Sequence, residues 1–264
     1  MIKNIALGIK AYFGGFALIS KLGLWKYFAI PILISFITGV LFLSLAWFLS
    51  DTLGSLIAKA WIWEWGSGIF SVVSKYFSVF LILAVGLVLY KHIIMALSAP
   101  FMSPVSEKIE AHFIKKQNYT HRNTTFRQQL IRGIRINIRN LLRELFLVIP
   151  LVVFSFIPAI GIIAPILIFI IQAYYVGFGN MDYTMERHFT YKESIEFVKK
   201  HRGTAIGNGI VFMAMLFIPV LGFIITLPIS VVAASTETIK ILDKEGVFSV
   251  EVALQSSNIT SNRG

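Results

Sequence analysis

Four stretches of this sequence carry almost no charge, and their lengths limit the fold more than anything else in it. No charged residue lies among the 24 from Tyr27 to Ser50, and only Lys91 interrupts the 31 from Tyr76 to Ser106, with His92 counted as neutral. The 37 residues between Glu144 and Asp182 and the 34 between Arg202 and Glu237 carry none. A hydrocarbon core about 30 Å thick needs roughly 20 helical residues, because backbone removed from water must satisfy its own hydrogen bonds. The chain therefore reads as an all-α integral membrane protein. Composition agrees: 56% of the 264 residues are hydrophobic, 14% are charged and the mean hydropathy is +0.77. Soluble domains carry about a quarter charged residues, so disorder, collagen-like repeats and an ordinary soluble enzyme are excluded.

The first run fits one transmembrane helix, 27–50. The second, 76–106, fits one long crossing that continues past the membrane face, with Leu97-Ser98-Ala99-Pro100-Phe101 marking a break. An ionisable group at membrane depth must face protein or water; Lys91 is read as snorkelling near a boundary. The third and fourth runs fit no simple count. As one helix, 37 residues would be about 55 Å long, and two full crossings need about 40 residues plus a turn. Each run carries a breaker cluster at its centre: Ile157-Pro158-Ala159-Ile160-Gly161 with Pro165, and Ile218-Pro219-Val220-Leu221-Gly222 with Pro228. Proline removes a helix donor and glycine loosens the backbone, so both runs bend there. The expected architecture is two long transmembrane helices plus two Pro/Gly-centred re-entrant (hemi-penetrating) helical hairpins, 145–181 and 203–236. The shared Ile-Pro-x-x-Gly spacing is a weak internal repeat, since Pro and Gly are common in membrane helices generally. Irregular backbone at membrane depth must be shielded from lipid, which implies tight packing or association of subunits around a central space.

Charge places the segments. Residues 1–26 hold Lys3, Lys10, Lys21 and Lys26 and no acid; 51–75 balance Asp51 and Glu64 against Lys59 and Lys75; 107–144 hold nine Lys/Arg against three acids. Cytoplasmic loops carry the excess of Lys and Arg, so both termini and the basic helical segment 107–144 are expected in the cytoplasm and 51–75 outside. Ile2, Ile5, Ile9, Phe13 and Phe16 recur at helical spacing and read as an amphipathic, interfacial N-terminal helix. Lys10 interrupts the only early apolar stretch, and no secretory cleavage pattern follows. Trp61, Trp63 and Trp65 suit an interfacial aromatic belt. Residues 1–249 are expected to form a single helical membrane domain, followed by a mobile Ser/Asn-rich tail, 250–264.

The net charge of +11 sits between apolar runs, so anionic headgroups or a small anionic solute are better partners than nucleic acid. Arg132, Arg135, Arg139 and Arg143 fall within about 80° of arc on one helix. Such a stripe ordinarily faces solvent or headgroups; the sharper reading is an electropositive vestibule at a pore mouth. No cysteine is present, which removes disulfides, thiolate metal sites and cysteine nucleophiles. The five histidines lack His-Glu-x-x-His spacing, and no nucleotide-binding glycine loop appears. Asp182 and Glu186 share a helical face, weak grounds for acid–base catalysis. No enzyme, cofactor or metal is expected. Gly207-Asn208-Gly209 reads as a close-packing feature.

Four blocks in register resemble the CysZ sulfate permease family, grouped with the etoposide-induced protein 2.4 superfamily. They are Gly23-Leu24-Trp25-Lys26 with Ile30-Pro31; Leu97-Ser98-Ala99-Pro100-Phe101 continuing to Glu107 and Glu110; Ile157-Pro158 with Pro165 and Asp182-Tyr183; and His201-Arg202 with Gly207, Ile218-Pro219 and Pro228. The resemblance implies a homo-oligomer in the bacterial inner membrane that admits sulfate for cysteine synthesis without an energy-coupling domain. It also implies that Gly23, Leu24, Trp25 and Lys26 form the anion-binding element, and that Glu107 and Glu110 belong to the pore or vestibule. This chain carries Trp25 and Lys26 where the family has two arginines. Arginine offers a planar multidentate fork and lysine a point charge, and both residues also suit interfacial anchors. The competing class is a membrane scaffold or lipid-interacting protein of the same superfamily.

Overall fold

A computed structural model describes residues 1–60, 62, 65–114, 124–155, 157–218 and 221–248. Trp61 and Trp63 of the expected aromatic belt and the tail 250–264 lie outside the described residues, as does part of the basic segment, 115–123. Eight α-helices account for the described chain: α1 Ile2–Lys21, α2 Ala29–Ala58, α3 Ser67–Phe113, α4 Phe126–Phe154, α5 Pro158–Met185, α6 Tyr191–Lys200, α7 Arg202–Leu216 and α8 Leu221–Lys244, with a 3₁₀ turn Leu24–Tyr27 between α1 and α2. Helices α1, α2 and α3, Ile160–Met185 of α5 and Ile224–Lys244 of α8 are long and apolar enough to cross a membrane.

Helix α2 is apolar on every side. It turns Phe36, Ile37, Leu41, Trp47 and Phe48 outward and keeps Ser35, Thr38, Ala46, Ser50 and Gly54 buried. Small residues let helix backbones approach where lipid supplies no hydrophobic drive. A Cβ on Gly54 would lie 2.9 Å from Lys75 Cα, the Ser78 hydroxyl donates to Ser50 O at 2.7 Å, and a Lys75–Asp51 ion pair at 2.7 Å ties the two helices near the C-terminal end of α2.

Helix α3 corrects one expectation. It runs unbroken for 47 residues through Pro100 and Pro104, where a break at Leu97–Phe101 was expected. Each proline removes one backbone donor, but tertiary packing holds the helix on course. Gly133 of α4 seats against this turn so closely that a Cβ there would meet Ala99 Cβ at 2.6 Å and Ala96 O at 2.9 Å. The Tyr183 hydroxyl of α5 donates to Met95 O at 2.6 Å.

Both breaker clusters do interrupt helix. α4 stops at Phe154 and α5 starts at Pro158, a position where proline's missing N–H is harmless; α7 stops at Leu216 and α8 starts at Leu221. Each helix packs back on its partner. The open ends meet at one end of the molecule. Arg132 of α4 reaches Asp182 of α5 at 2.9 Å, while Lys200 and His201 before α7 reach Glu245 after α8 at 2.6 and 2.9 Å.

The tightest contact joins α5 to α7. A Cβ on Gly177 would lie 1.8 Å from Ala205 O, and one on Gly209 would lie 1.8 Å from Ala173 O. Gly207 meets α1 almost as closely, its Cβ position 2.2 Å from Ile5 O, so the Gly-Asn-Gly reading holds. Between them Asn208 bridges three helices: Asn180 Nδ2 donates to its Oδ1 at 2.8 Å, its Nδ2 donates to Ser230 O at 3.0 Å, and the Tyr12 hydroxyl donates to its carbonyl at 2.8 Å. The N-terminal helix is present, but Gly8, Tyr12, Gly15 and Ile19 form its inner face, while Ile2, Phe13 and Phe16 point outward and Ile5 and Ile9 are half-buried.

Candidate anion site and buried ion pairs

After α1 the chain turns at Gly23, whose φ of 61° is left-handed and suits glycine. The 3₁₀ turn that follows buries Leu24 completely and leaves Trp25 and Lys26 exposed. Trp25 Nε1 donates to Ser20 Oγ at 3.4 Å, and its ring meets Phe28 edge-on at 5.9 Å. α2 begins at Ala29, so Gly23 and Leu24 open a separate turn and not the crossing helix itself. Opening-turn amides have no intrahelical acceptor. Lys26 Nζ lies 5.4 Å from the Tyr27 ring centroid, and Lys108 Nζ of α3 lies 5.6 Å from the same centroid. Two ammonium groups thus gather at one ring beside the glycine turn. Lys108 is a residue that sequence reasoning missed; its signal was its place inside Glu107-Lys108-Ile109-Glu110.

The two glutamates of that block part company. Glu107 is exposed, whereas Glu110 is buried and its Oε2 takes Arg187 Nη2 at 2.9 Å and His188 Nε2 at 3.0 Å. Arg187 also donates to Ser106 Oγ at 2.8 Å and Tyr183 O at 3.0 Å. One turn away, Glu186 contacts the Ser103 hydroxyl, which also takes a bond from Gln129 Nε2 at 3.2 Å. Burial pushes Glu186 up to about 7, with the Asp182 carboxylate adding to the rise, while the Ser103 hydroxyl, Arg187 and Arg132 pull the other way.

The arginine stripe is divided. Arg132 turns inward and grips Asp182 bidentately, at 3.0 and 2.9 Å, with further bonds to Phe189 O and Ser194 Oγ. Arg135 lies over the Tyr191 ring at 4.2 Å, Arg139 donates to Asn140 Oδ1 at 2.8 Å, and Arg143 is exposed. Only the last three present a basic surface. Lys91 is a correction: it does not snorkel. It is fully buried and paired with Glu144 at 2.6 Å, with Gln172 Oε1 at 3.2 Å, and His92 Nε2 lies 3.0 Å from the other Glu144 oxygen. The partner 53 residues away carries no local sequence signal, so the pair emerges only from the α3–α4 packing.

Long apolar helices with ionic clusters buried among them define a polytopic helical membrane protein. The family model described as "Sulfate transporter CysZ/Etoposide-induced protein 2.4" matches residues 11–226. The chain belongs to this family. No curated protein matches it.

Proposed function

We propose that this protein is a permease or channel passing sulfate or a similar small oxyanion across the bacterial inner membrane, driven by the gradient. Gly23, Leu24, Trp25 and Lys26 receive the anion, and Lys108 supplies the second positive charge that the family's paired arginines would otherwise provide. Two ammonium groups near one exposed turn attract a divalent oxyanion more strongly than either alone. The convergence of Lys26 and Lys108 on Tyr27 is the observation that carries this reading. Glu107 stands at the rim of the same segment, Glu110 fixes the α3–α5 contact behind it, and Arg135, Arg139 and Arg143, with Arg132 tied to Asp182, raise the local anion concentration. The Pro/Gly-centred hairpins enter partway and return, and shielding of their tips favours a homo-oligomer. Both termini face the cytoplasm.

The second reading, a non-transport scaffold, draws on the exposed Trp25 in place of an arginine. Purified protein in liposomes separates the two. Sulfate enters vesicles containing the wild type, and Lys26→Ala or Lys108→Ala lowers uptake at subsaturating sulfate by on the order of tenfold. Wild-type vesicles no leakier to sulfate than protein-free ones would leave the scaffold reading standing.

A further inference from the structure

The outward face of α4 combines guanidinium groups with aliphatic side chains at a depth where neither water nor hydrocarbon suits both. Gly133 seats against Ala96 and Ala99, and Asn137 Oδ1 lies 3.4 Å from His92 Nδ1. Arg135, Arg139 and Arg143 therefore sit level with residues of α3 that belong to its long apolar run, which Lys91 alone interrupts. Their aliphatic stems line a shallow hollow of about 600 Å³ together with Ile131, Ile134, Ile138 and Leu142. A second hollow of about 230 Å³ adjoins it between α3 and α4, sharing Ile134 and Ile138 and adding Ile93, Ala96, Leu97 and Leu141. Beyond Arg143, α4 continues with exposed Phe146, Ile149, Val152 and Val153. None of the three arginines has a carboxylate partner among the described residues.

We propose that these adjoining hollows are a binding site for an anionic phospholipid, its phosphate held by Arg135, Arg139 and Arg143 and its acyl chains lying on the aliphatic side chains of α3 and α4. A hydrated inorganic anion matches the arginines but not the isoleucines. A second copy of the chain matches the isoleucines but not the arginines: it brings its own +11 charge, and at least six of its 13 acids are already held by Lys or Arg. A phospholipid satisfies both sets at once, and basic pockets at a helical membrane surface take such headgroups. The site is separate from the Lys26–Lys108 turn and does not rest on the transport reading; a lipid held there would take the three arginines from the role of concentrating the anion and leave that turn as the receiving site.

Native mass spectrometry of the purified protein, titrated with equal amounts of phosphatidylglycerol and phosphatidylcholine, tests it. The wild type retains phosphatidylglycerol preferentially, and R135Q/R139Q/R143Q lowers that preference at least about tenfold. R135K/R139K/R143K keeps the charge and retains most of the preference, which guards against a misfolded glutamine variant. Sulfate at millimolar concentration does not displace the lipid. Equal retention of the two lipids by the wild type would overturn the proposal. So would displacement by sulfate, which assigns the face to a free anion, or an unchanged preference in the glutamine variant. Conversion of a wild-type oligomer to monomer by that variant, with lipid preference intact, would assign the face to a second copy.

Discussion

At the residue scale, the buried charged side chains described are, Glu186 apart, committed to ion pairs and do not wait for a ligand. Lys91 shows the energetics. A buried ion pair gains little over a well-packed apolar pair, but removing one member strands a charge, at a cost of about 3–5 kcal/mol. Lys91→Met should therefore lower stability by about 3–5 kcal/mol, read from denaturation in detergent, and Lys91→Met/Glu144→Leu should recover most of the loss. Two single variants whose effects simply add would show that the pair is not coupled. Glu186, one residue beyond the apolar span of α5, gives a pH test. Its folded value of about 7 lies above the ordinary carboxylate value, so the fold favours the protonated form. That contribution is complete below the ordinary value and disappears as pH rises through about 7. Between about pH 5 and pH 8 the thermal midpoint of the wild type should fall more than that of Glu186→Gln, which stays neutral throughout. Parallel pH curves for the two would refute it. Residue types and helical phase were legible in the sequence here; pairings were not. Arg132 and Arg135 stand three apart on one helix, yet one faces a carboxylate 50 positions on and the other a tyrosine ring.

At the element scale, what sequence revealed best was where helix must stop under local chemistry alone. Pro158 with Gly161, and Gly222, lie in the first turns of α5 and α8, just past the ends of α4 and α7. Pro100 and Pro104 carry the same local instruction and are overruled, because Gly133 and Tyr183 brace that turn from two other helices. Thr125 with Gln128, and Thr190 with Glu193, form capping boxes that start α4 and α6; the Thr-x-x-Gln and Thr-x-x-Glu spacing was there to be read. The α5–α7 contact was half legible. Gly209 was singled out, but its counterpart Gly177 was not, since only the antiparallel approach shows that Ala173-x-x-x-Gly177 faces Ala205-x-x-x-Gly209. The obstacle to a larger residue is backbone, not a side chain able to swing aside. Gly209→Ala should therefore part α5 from α7 and destabilise by at least about 2 kcal/mol, whereas Gly14→Ala on α1, with nothing within 4 Å of the new methyl, should be neutral or slightly stabilising. Comparable melting of both variants in detergent would contradict the interlocked backbones.

At the scale of the whole molecule, the decisive property is that the two helical hairpins open toward the same end. The Lys91–Glu144 pair fixes how far α4 reaches along α3: α4 runs ten residues past Glu144 to Phe154, about 15 Å, while α3 extends 24 residues from Lys91 back to Ser67, about 36 Å. The end of α4 thus stops roughly 20 Å short of the N-terminal end of α3. On the proposed reading the hairpin does not traverse beside α2 and α3, and 182–202 is expected on the side from which α4 entered, where Arg132 holds Asp182 and Ser194. The chain has no cysteine, which makes it a clean background for single-cysteine labelling in intact cells with a membrane-impermeant maleimide. Lys59→Cys, Arg127→Cys and Lys199→Cys place thiols at exposed positions before α3, at the start of α4 and at the end of α6. If all molecules insert one way, Lys59→Cys labels from outside and the other two do not. If some insert inverted, the outside-labelled fractions of Arg127→Cys and Lys199→Cys still match, and that of Lys59→Cys is their complement. Complementary fractions for Arg127→Cys and Lys199→Cys would mean that the segment between them crosses fully, and the half-depth hairpin, with the shielded conduit built from it, would have to be abandoned.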